Sequence, residues 1–157
     1  MGEKIVVTGM GAVTPIGIGV DEYWNNLIAG KSGVDGITRF DASGLAVRIA
    51  AEVRNFKPEC YLPRKLISQT DAFTQYAYAA AEEALDGQPL PAEPERMGIV
   101  MGTAMAGITT TAATQEILTN AVHKNVGPRF VPRILGNIAA AQIAIAHDIR
   151  GPSLTVS

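Results

Sequence analysis

The chain is predicted to adopt an α/β fold, with helices packed on the faces of a sheet. Three observations lead there. Short β-branched runs at 4–8, 96–101 and 153–157 alternate with segments of helical period, and that alternation is the mark of crossover units. Hydrophobic residues make up 47% of the 157 residues and charged residues 18%. The charged fraction falls below the usual ~25%, which points to a large core or an extensive subunit interface. The segment 131–146 is apolar nearly all round, as a central buried helix would be.

Each element follows from its residues. Lys4-Ile5-Val6-Val7-Thr8 reads as a buried strand, followed by the breaker-rich loop Gly9 to Gly17. Asp21 is expected to cap a helix whose Trp24, Leu27 and Ile28 recur at helical spacing, with Gly30 ending it. Residues 31–45 read as a long loop, 47–53 as an alternating strand, and Pro58 to Pro63 as the bracket of an irregular basic segment. Asp71 starts a strong helix over 72–85 with an apolar face of Phe73, Tyr76, Ala77, Ala80, Ala81 and Ala84. Its alanines permit close approach of another element. Three prolines forbid helix in 87–94. A second buried strand over 96–101, a helix over 108–122, a turn at Gly127-Pro128, the apolar helix 131–146 and a third strand from Ser153 complete the chain.

Composition excludes several functions. The net charge of −2 leaves no polybasic field for nucleic acid. A single cysteine, Cys60, excludes a disulfide framework and a Cys-rich zinc site. The first residues lack the apolar run of a signal peptide, so the cytoplasm is the expected compartment. The uncharged stretch 97–115 is long enough to span a membrane, but three glycines and five threonines interrupt it. It reads as a strand, a glycine turn and the start of a helix, so no membrane association is expected.

Candidate chemical groups are few. Gly9-Met10-Gly11 after a strand invites a dinucleotide-binding reading, but the third glycine of that motif is replaced by Thr14, followed by Pro15. Cys60 lies between acidic and aromatic neighbours, without the positive surroundings a thiolate needs, and reads as a half-buried packing residue. His123 and His147 fall near helix C-termini, where a cation complements the dipole. Glu82-Glu83 reads as a solvated helix face. No self-sufficient catalytic set, metal site or cofactor site is expected from these residues.

Specific motifs now become informative. Val6-Val7-Thr8-Gly9-Met10-Gly11-Ala12-Val13-Thr14-Pro15-Ile16-Gly17, Arg39-Phe40-Asp41, Asp71-Ala72-Phe73-Thr74-Gln75-Tyr76, Phe130-Val131-Pro132 with Asn137, and Gly151-Pro152-Ser153-Leu154-Thr155-Val156-Ser157 closely resemble the β-ketoacyl-acyl carrier protein synthases. The likeness is greatest to the type II elongating enzymes and covers the whole chain in order. It implies a thiolase-like α-β-α-β-α layered fold, of which this chain is the first half with a mixed five-stranded sheet. It implies a decarboxylative Claisen condensation between an acyl thioester and malonyl-carrier protein in fatty acid synthesis, with no cofactor and no metal. The family's nucleophilic cysteine would be the third residue after Ser157, and its two histidines and lysine lie farther on. Cys60, His123 and His147 do not match them, so residues 1–157 alone are expected to lack condensing activity.

The resemblance assigns further roles. Met105, in Gly102-Thr103-Ala104-Met105-Ala106-Gly107, corresponds to the apolar gate of the acyl pocket; Phe130, Ile134 and Leu135 correspond to positions lining its far end from the partner subunit. Arg64 and Lys65 match a basic patch that docks the acidic acyl carrier protein, although Ser68 and Gln69 stand where relatives often carry two more basic residues. A homodimer is implied. The alternative is a type II polyketide ketosynthase, or its cysteine-less chain-length partner in a heterodimer, which Gln69-Thr70-Asp71 faintly resembles. A self-contained apolar interaction module is a third reading. It is disfavoured because half of such a fold should expose a large hydrophobic face.

Overall fold

The computed structural model describes residues 4–88, 90, 92–120 and 126–157. Residues 4–8 form no ladder, and Ile5 is 99% exposed, with Val6 and Val7 also exposed. The expected first strand is therefore corrected. Branched side chains favour extended backbone, but a strand exists only where a neighbour takes up its N–H and C=O groups. Among the described residues none does so.

The chain then turns through a hairpin, β1 (Val13–Thr14) and β2 (Gly17–Ile18), with Val13 opposite Ile18. The Thr14 hydroxyl holds the turn. It donates to the Gly17 carbonyl at 3.0 Å and accepts from the Ile16 amide at 3.3 Å. Helix α1 (Val20–Ile28) follows. Its N-cap is Gly19, not Asp21, at φ +98, a conformation suited to glycine. Asp21 lies in the first turn instead, on the favourable end of the dipole. Gly30, at φ +67, ends the helix as its position suggests. The expected loop 31–45 contains strand β3 (Val34–Gly36), paired antiparallel with β4 (Ile49–Ala51). Glycine and aspartate hid it, since both are poor strand formers. A 3₁₀ turn at Pro58–Cys60 occupies part of the segment expected to be irregular, and a short helix α2 (Arg64–Gln69) follows it.

Helix α3 (Ala72–Leu85) has the bounds its periodicity predicts. Its most buried residues are Thr74, Tyr78 and Ala79, so packing reaches beyond the expected face. Past a 3₁₀ turn at Pro94–Arg96 comes β5 (Ile99–Gly102), parallel to β6 (Ser153–Val156) with Ile99 opposite Ser153 and Gly102 opposite Val156. Val100, Leu154 and Val156 are exposed, so this sheet is covered on one face rather than buried, and the expected mixed five-stranded sheet is corrected to three separate two-stranded pairings among the described residues. Helix α4 (Ile108–Asn120) starts where expected, and the rest of that predicted helix, with His123, lies outside the described residues. The predicted single helix 131–146 is two, α5 (Phe130–Ile134) and α6 (Ile138–Ala146). Leu135 is extended there, and Gly136 follows beside Thr103, Thr155 and Ala106.

The core lies where α3 and α6 meet β5. Leu62, Tyr78 and Ile143 are its centre, with Leu66, Ile67, Ile99 and Met101 around them. Ala139 and Ala140 are fully buried on α6. The Gly9-x-Gly11 pair is explained by α3. A Cβ at Gly9 would collide with the Ala84 carbonyl, and one at Gly11 with the Ala80 carbonyl. Two glycines thus face two alanines one helical turn apart, bringing backbone against helix.

Glu82 and Glu83 do not form a solvated face. Glu83 accepts hydrogen bonds from the Ala12 amide at 2.9 Å and the Val20 amide at 2.6 Å, fastening the hairpin and the first turn of α1 to α3. Glu82 meets His147 Nε2 at 2.9 Å and so joins α3 to the C-terminal end of α6. Burial, together with a hydrogen bond to Glu82, pushes the Tyr78 phenol above its ordinary range. At the β3–β4 end, Glu52 accepts from the Thr38 hydroxyl at 2.6 Å and from the Thr38 amide at 3.1 Å and the Arg39 amide at 3.3 Å. The Thr38 hydroxyl foremost holds this carboxyl below the usual range.

Two predictions follow from these contacts. Gly11→Ala should cost about 1–3 kcal/mol, because its methyl meets rigid helix backbone. Gly44→Ala, where a Cβ meets open space, should be neutral or slightly stabilising. Chemical denaturation of both variants is the check. The Glu52 contribution, from a pKa depressed in the folded chain, is complete above the unfolded glutamate value of about 4.3. It is lost as pH falls through the lower folded value. The stability gap between wild type and Glu52→Gln should therefore be widest near neutrality and close below pH ~4.

Candidate functional site

In open α/β sheets, ligands bind beyond the carboxyl ends of the parallel strands. Here β5 and β6 end side by side at Gly102 and Val156, and the Thr103 amide donates to the Val156 carbonyl at 2.9 Å. The turn 103–107 leaves this edge and carries Met105, which is 69% exposed. Gly107, at φ +62, closes the turn against α5. A Cβ there would run into the backbone and side chain of Ile134. Ile134 is the last residue of α5 and Leu135 follows it half-exposed. The turn of Met105 and the segment of Ile134 and Leu135 thus meet at the end of the sheet. Phe130, at the start of α5, lies one helix length away and lines a cavity of about 450 Å³ with Thr110, Thr114, Ile117 and Arg133. The structure thus brings the turn of Met105 against Ile134, with Leu135 next in the chain, at the sheet end, while Phe130 lines a separate cavity at the other end of α5.

Arg64 and Lys65 occupy the first turn of α2 and are exposed. No side chain caps that helix. Cations at the positive end of a helix dipole do not stabilise it, so their positive charge adds to the helix's own. Arg133 of α5 donates to the Ser68 carbonyl at the other end of α2. That contact ties the basic helix to α5.

Sequence reasoning missed one polar contact near this site. Asp71 occupies the N-cap of α3, but its side chain makes no bond there. Its Oδ2 instead accepts from the Thr110 amide in the first turn of α4, at 2.7 Å. The visible clue was Gly107, a helix N-cap residue with no side chain to cap with. A larger apolar groove of about 640 Å³ runs between Phe40, Tyr76, Ile108 and Ala112, and there Arg39 donates to the Tyr76 hydroxyl at 2.8 Å.

No nucleophile and base come together among the described residues. Cys60 is exposed on its 3₁₀ turn, not half-buried, because the short turn gives it nothing to pack beneath. His147 lies at the C-cap of α6, as expected, and is engaged by Glu82. Among the described residues no three His, Cys, Asp or Glu side chains are grouped to hold a metal ion, and no helix is long and apolar enough to cross a membrane.

Comparison with known proteins gives this geometry a context. The family model described as "Beta-ketoacyl synthase, N-terminal domain" matches residues 2–157. The chain is 36% identical to a 3-oxoacyl-[acyl-carrier-protein] synthase 2 of Coxiella burnetii over 98% of its own length and 38% of that protein's. It is 34% identical to the protein of the same name from Staphylococcus aureus strain COL, over 96% of this chain and 37% of the other. The chain thus spans less than two-fifths of the length of these relatives. Among solved structures, the ishigamide ketosynthase/chain length factor superposes with a TM-score of 0.81 at 30% identity, over 97% of this chain and 39% of that one. A β-ketoacyl synthase from Burkholderia phymatum STM815 superposes with a TM-score of 0.74 at 24% identity, over 95% of this chain and 38% of that one, which shows the fold. With a family model matching from its second residue to its last, and a fold shared with ketosynthases, the chain belongs to the β-ketoacyl synthase family.

Proposed function

We propose that this chain is the N-terminal part of a 3-oxoacyl-[acyl-carrier-protein] synthase that extends acyl chains in fatty acid synthesis. The observation that carries the reading is the near-complete match to relatives named 3-oxoacyl-[acyl-carrier-protein] synthase 2. In this reading an acyl group passes from carrier protein to a cysteine three residues after Ser157. Malonyl-carrier protein then loses CO₂, and the carbanion attacks the acyl thioester. The register of β5 and β6 favours this placement. Because Gly102 lies opposite Val156, a nucleophile just beyond β6 would neighbour the turn of Met105. Met105 then gates the acyl pocket, its flexible thioether able to move aside. Phe130, Ile134 and Leu135 line the pocket's far end for the partner subunit.

The exposed Val100, Leu154 and Val156 lie together on the open face of the β5–β6 pair and form apolar surface of the kind that marks an interface. We assign it to the second half of the fold and to a partner subunit in a homodimer acting in the cytoplasm. Arg64 and Lys65 dock the acidic carrier protein. A neighbour of the same fold, 21% identical, is a type II PKS acyl-carrier protein in complex with its ketosynthase, in keeping with a carrier-protein partner under either pathway.

A second reading, a polyketide ketosynthase or its chain-length partner, draws on the similarity to the ishigamide ketosynthase/chain length factor. Sequencing of the gene beyond Ser157 separates a condensing enzyme of either pathway from the chain-length partner: cysteine at the third position supports the enzyme, glutamine the silent partner.

Two experiments on the full-length protein test the site. Met105→Phe should shift the products of extension to shorter chains, read by mass spectrometry of the carrier-bound products; an unchanged profile removes the gate. Arg64→Glu with Lys65→Glu should raise KM for carrier-bound substrates roughly tenfold, equivalent to ~1.4 kcal/mol. The effect should fade at high salt and leave coenzyme A thioesters untouched, as for a steering patch.

A further inference from the structure

The N-terminus of α4 has an unusual cap. Gly107 stands at the N-cap, since its carbonyl accepts from the Thr111 amide at 2.9 Å. An N-cap side chain normally accepts from the amide two or three residues on, and serine, threonine, aspartate or asparagine supply it. Gly107 has none, and none could be added. Its backbone is at φ +62, and any Cβ would strike Ile134. The missing acceptor comes from Asp71, whose Oδ2 takes the Thr110 amide at 2.7 Å from 39 residues away. Asp71 is only 6% exposed, so the bond is sheltered from water, and its charge lies at the positive end of α4.

We propose that Asp71 is a positioning residue that sets the turn 103–107 and with it the acyl-chain selectivity. The proposal rests on the reading of Met105 as the gate. The turn is held at its start by the Thr103 amide on the Val156 carbonyl at 2.9 Å. It is held at its end by Gly107 wedged against Ile134 and by the Asp71 cap on Thr110. Only Ala104, Met105 and Ala106 lie between these anchors. Removing the Asp71 acceptor frees the first turn of α4 and lets Met105 wander, which relaxes discrimination among acyl donors. Asp71 also links the site to the basic helix, because α2 ends at Gln69, two residues before it.

The test uses full-length protein carrying Asp71→Ala, Asp71→Asn or Met105→Phe, compared by kcat/KM for short and long acyl donors and by hydrogen exchange of segment 103–112. Asp71→Ala should speed exchange in that segment at least tenfold. It should change the ratio of kcat/KM between long and short donors roughly tenfold, with KM for malonyl-carrier protein within twofold of wild type. Asp71→Asn keeps an acceptor oxygen and should restore the ratio to within about threefold. If Asp71→Ala does not fold, Asp71→Ser, polar but too short to reach Thr110, takes its place with the same expectations. Unchanged exchange in 103–112, or an equal fall for every donor, overturns the proposal. If Met105→Phe leaves the donor ratio unchanged while Asp71→Ala speeds exchange, the gate reading fails and the cap stands.

Discussion

Everything else in the chain hangs on helix α3 being approached closely from several sides. Its alanines at 80 and 84 present bare backbone to Gly9 and Gly11, so the N-terminal segment lies directly on the helix. Such an approach buries polar backbone, and buried polar groups need partners. The helix and its N-cap supply three of them as carboxylates. Glu83 takes the amides of Ala12 and Val20, Glu82 takes His147, and Asp71 takes Thr110. Each acts on a different segment, and two of the three close helix ends that lack a cap of their own. Charge-assisted bonds of this kind are about twice as strong as neutral ones. They fix orientation where small residues alone would allow sliding.

The candidate site inherits its geometry from this arrangement. Parallel pairing of β5 and β6 brings their carboxyl ends together, and the turn with Met105 starts at that edge. The α5–α6 break at Leu135–Gly136 fits the chain around the same turn. The site therefore depends on one glycine, Gly107, that admits close packing against Ile134, and on one distant aspartate that supplies the cap this glycine lacks.

Much of this was legible from the residues. The α/β class, the bounds of α3, the start of α4, the end of α1 at Gly30 and the strand after Pro152 follow from local period and breakers, because each depends on nearest neighbours along the chain. Errors arose wherever a distant partner decided the outcome. Residues 4–8 have strand composition but no ladder, while Val34–Gly36 has poor composition and gains one from Ile49–Ala51. Glu82 and Glu83 follow a solvated pattern along the helix yet serve segments more than sixty residues away. Asp71 occupies the N-cap its position predicts and caps another helix.

Sequence by itself determined the class of fold and the family, since these are written in local pattern and motif. Tertiary structure alone decided that Met105 lies on a turn anchored at both ends, that Ile134 meets Gly107, and that Arg133 joins α2 to α5. The reason is physical. A hydrogen bond or a close contact is satisfied by whatever group the fold brings near, and proximity in space is not encoded in spacing along the chain.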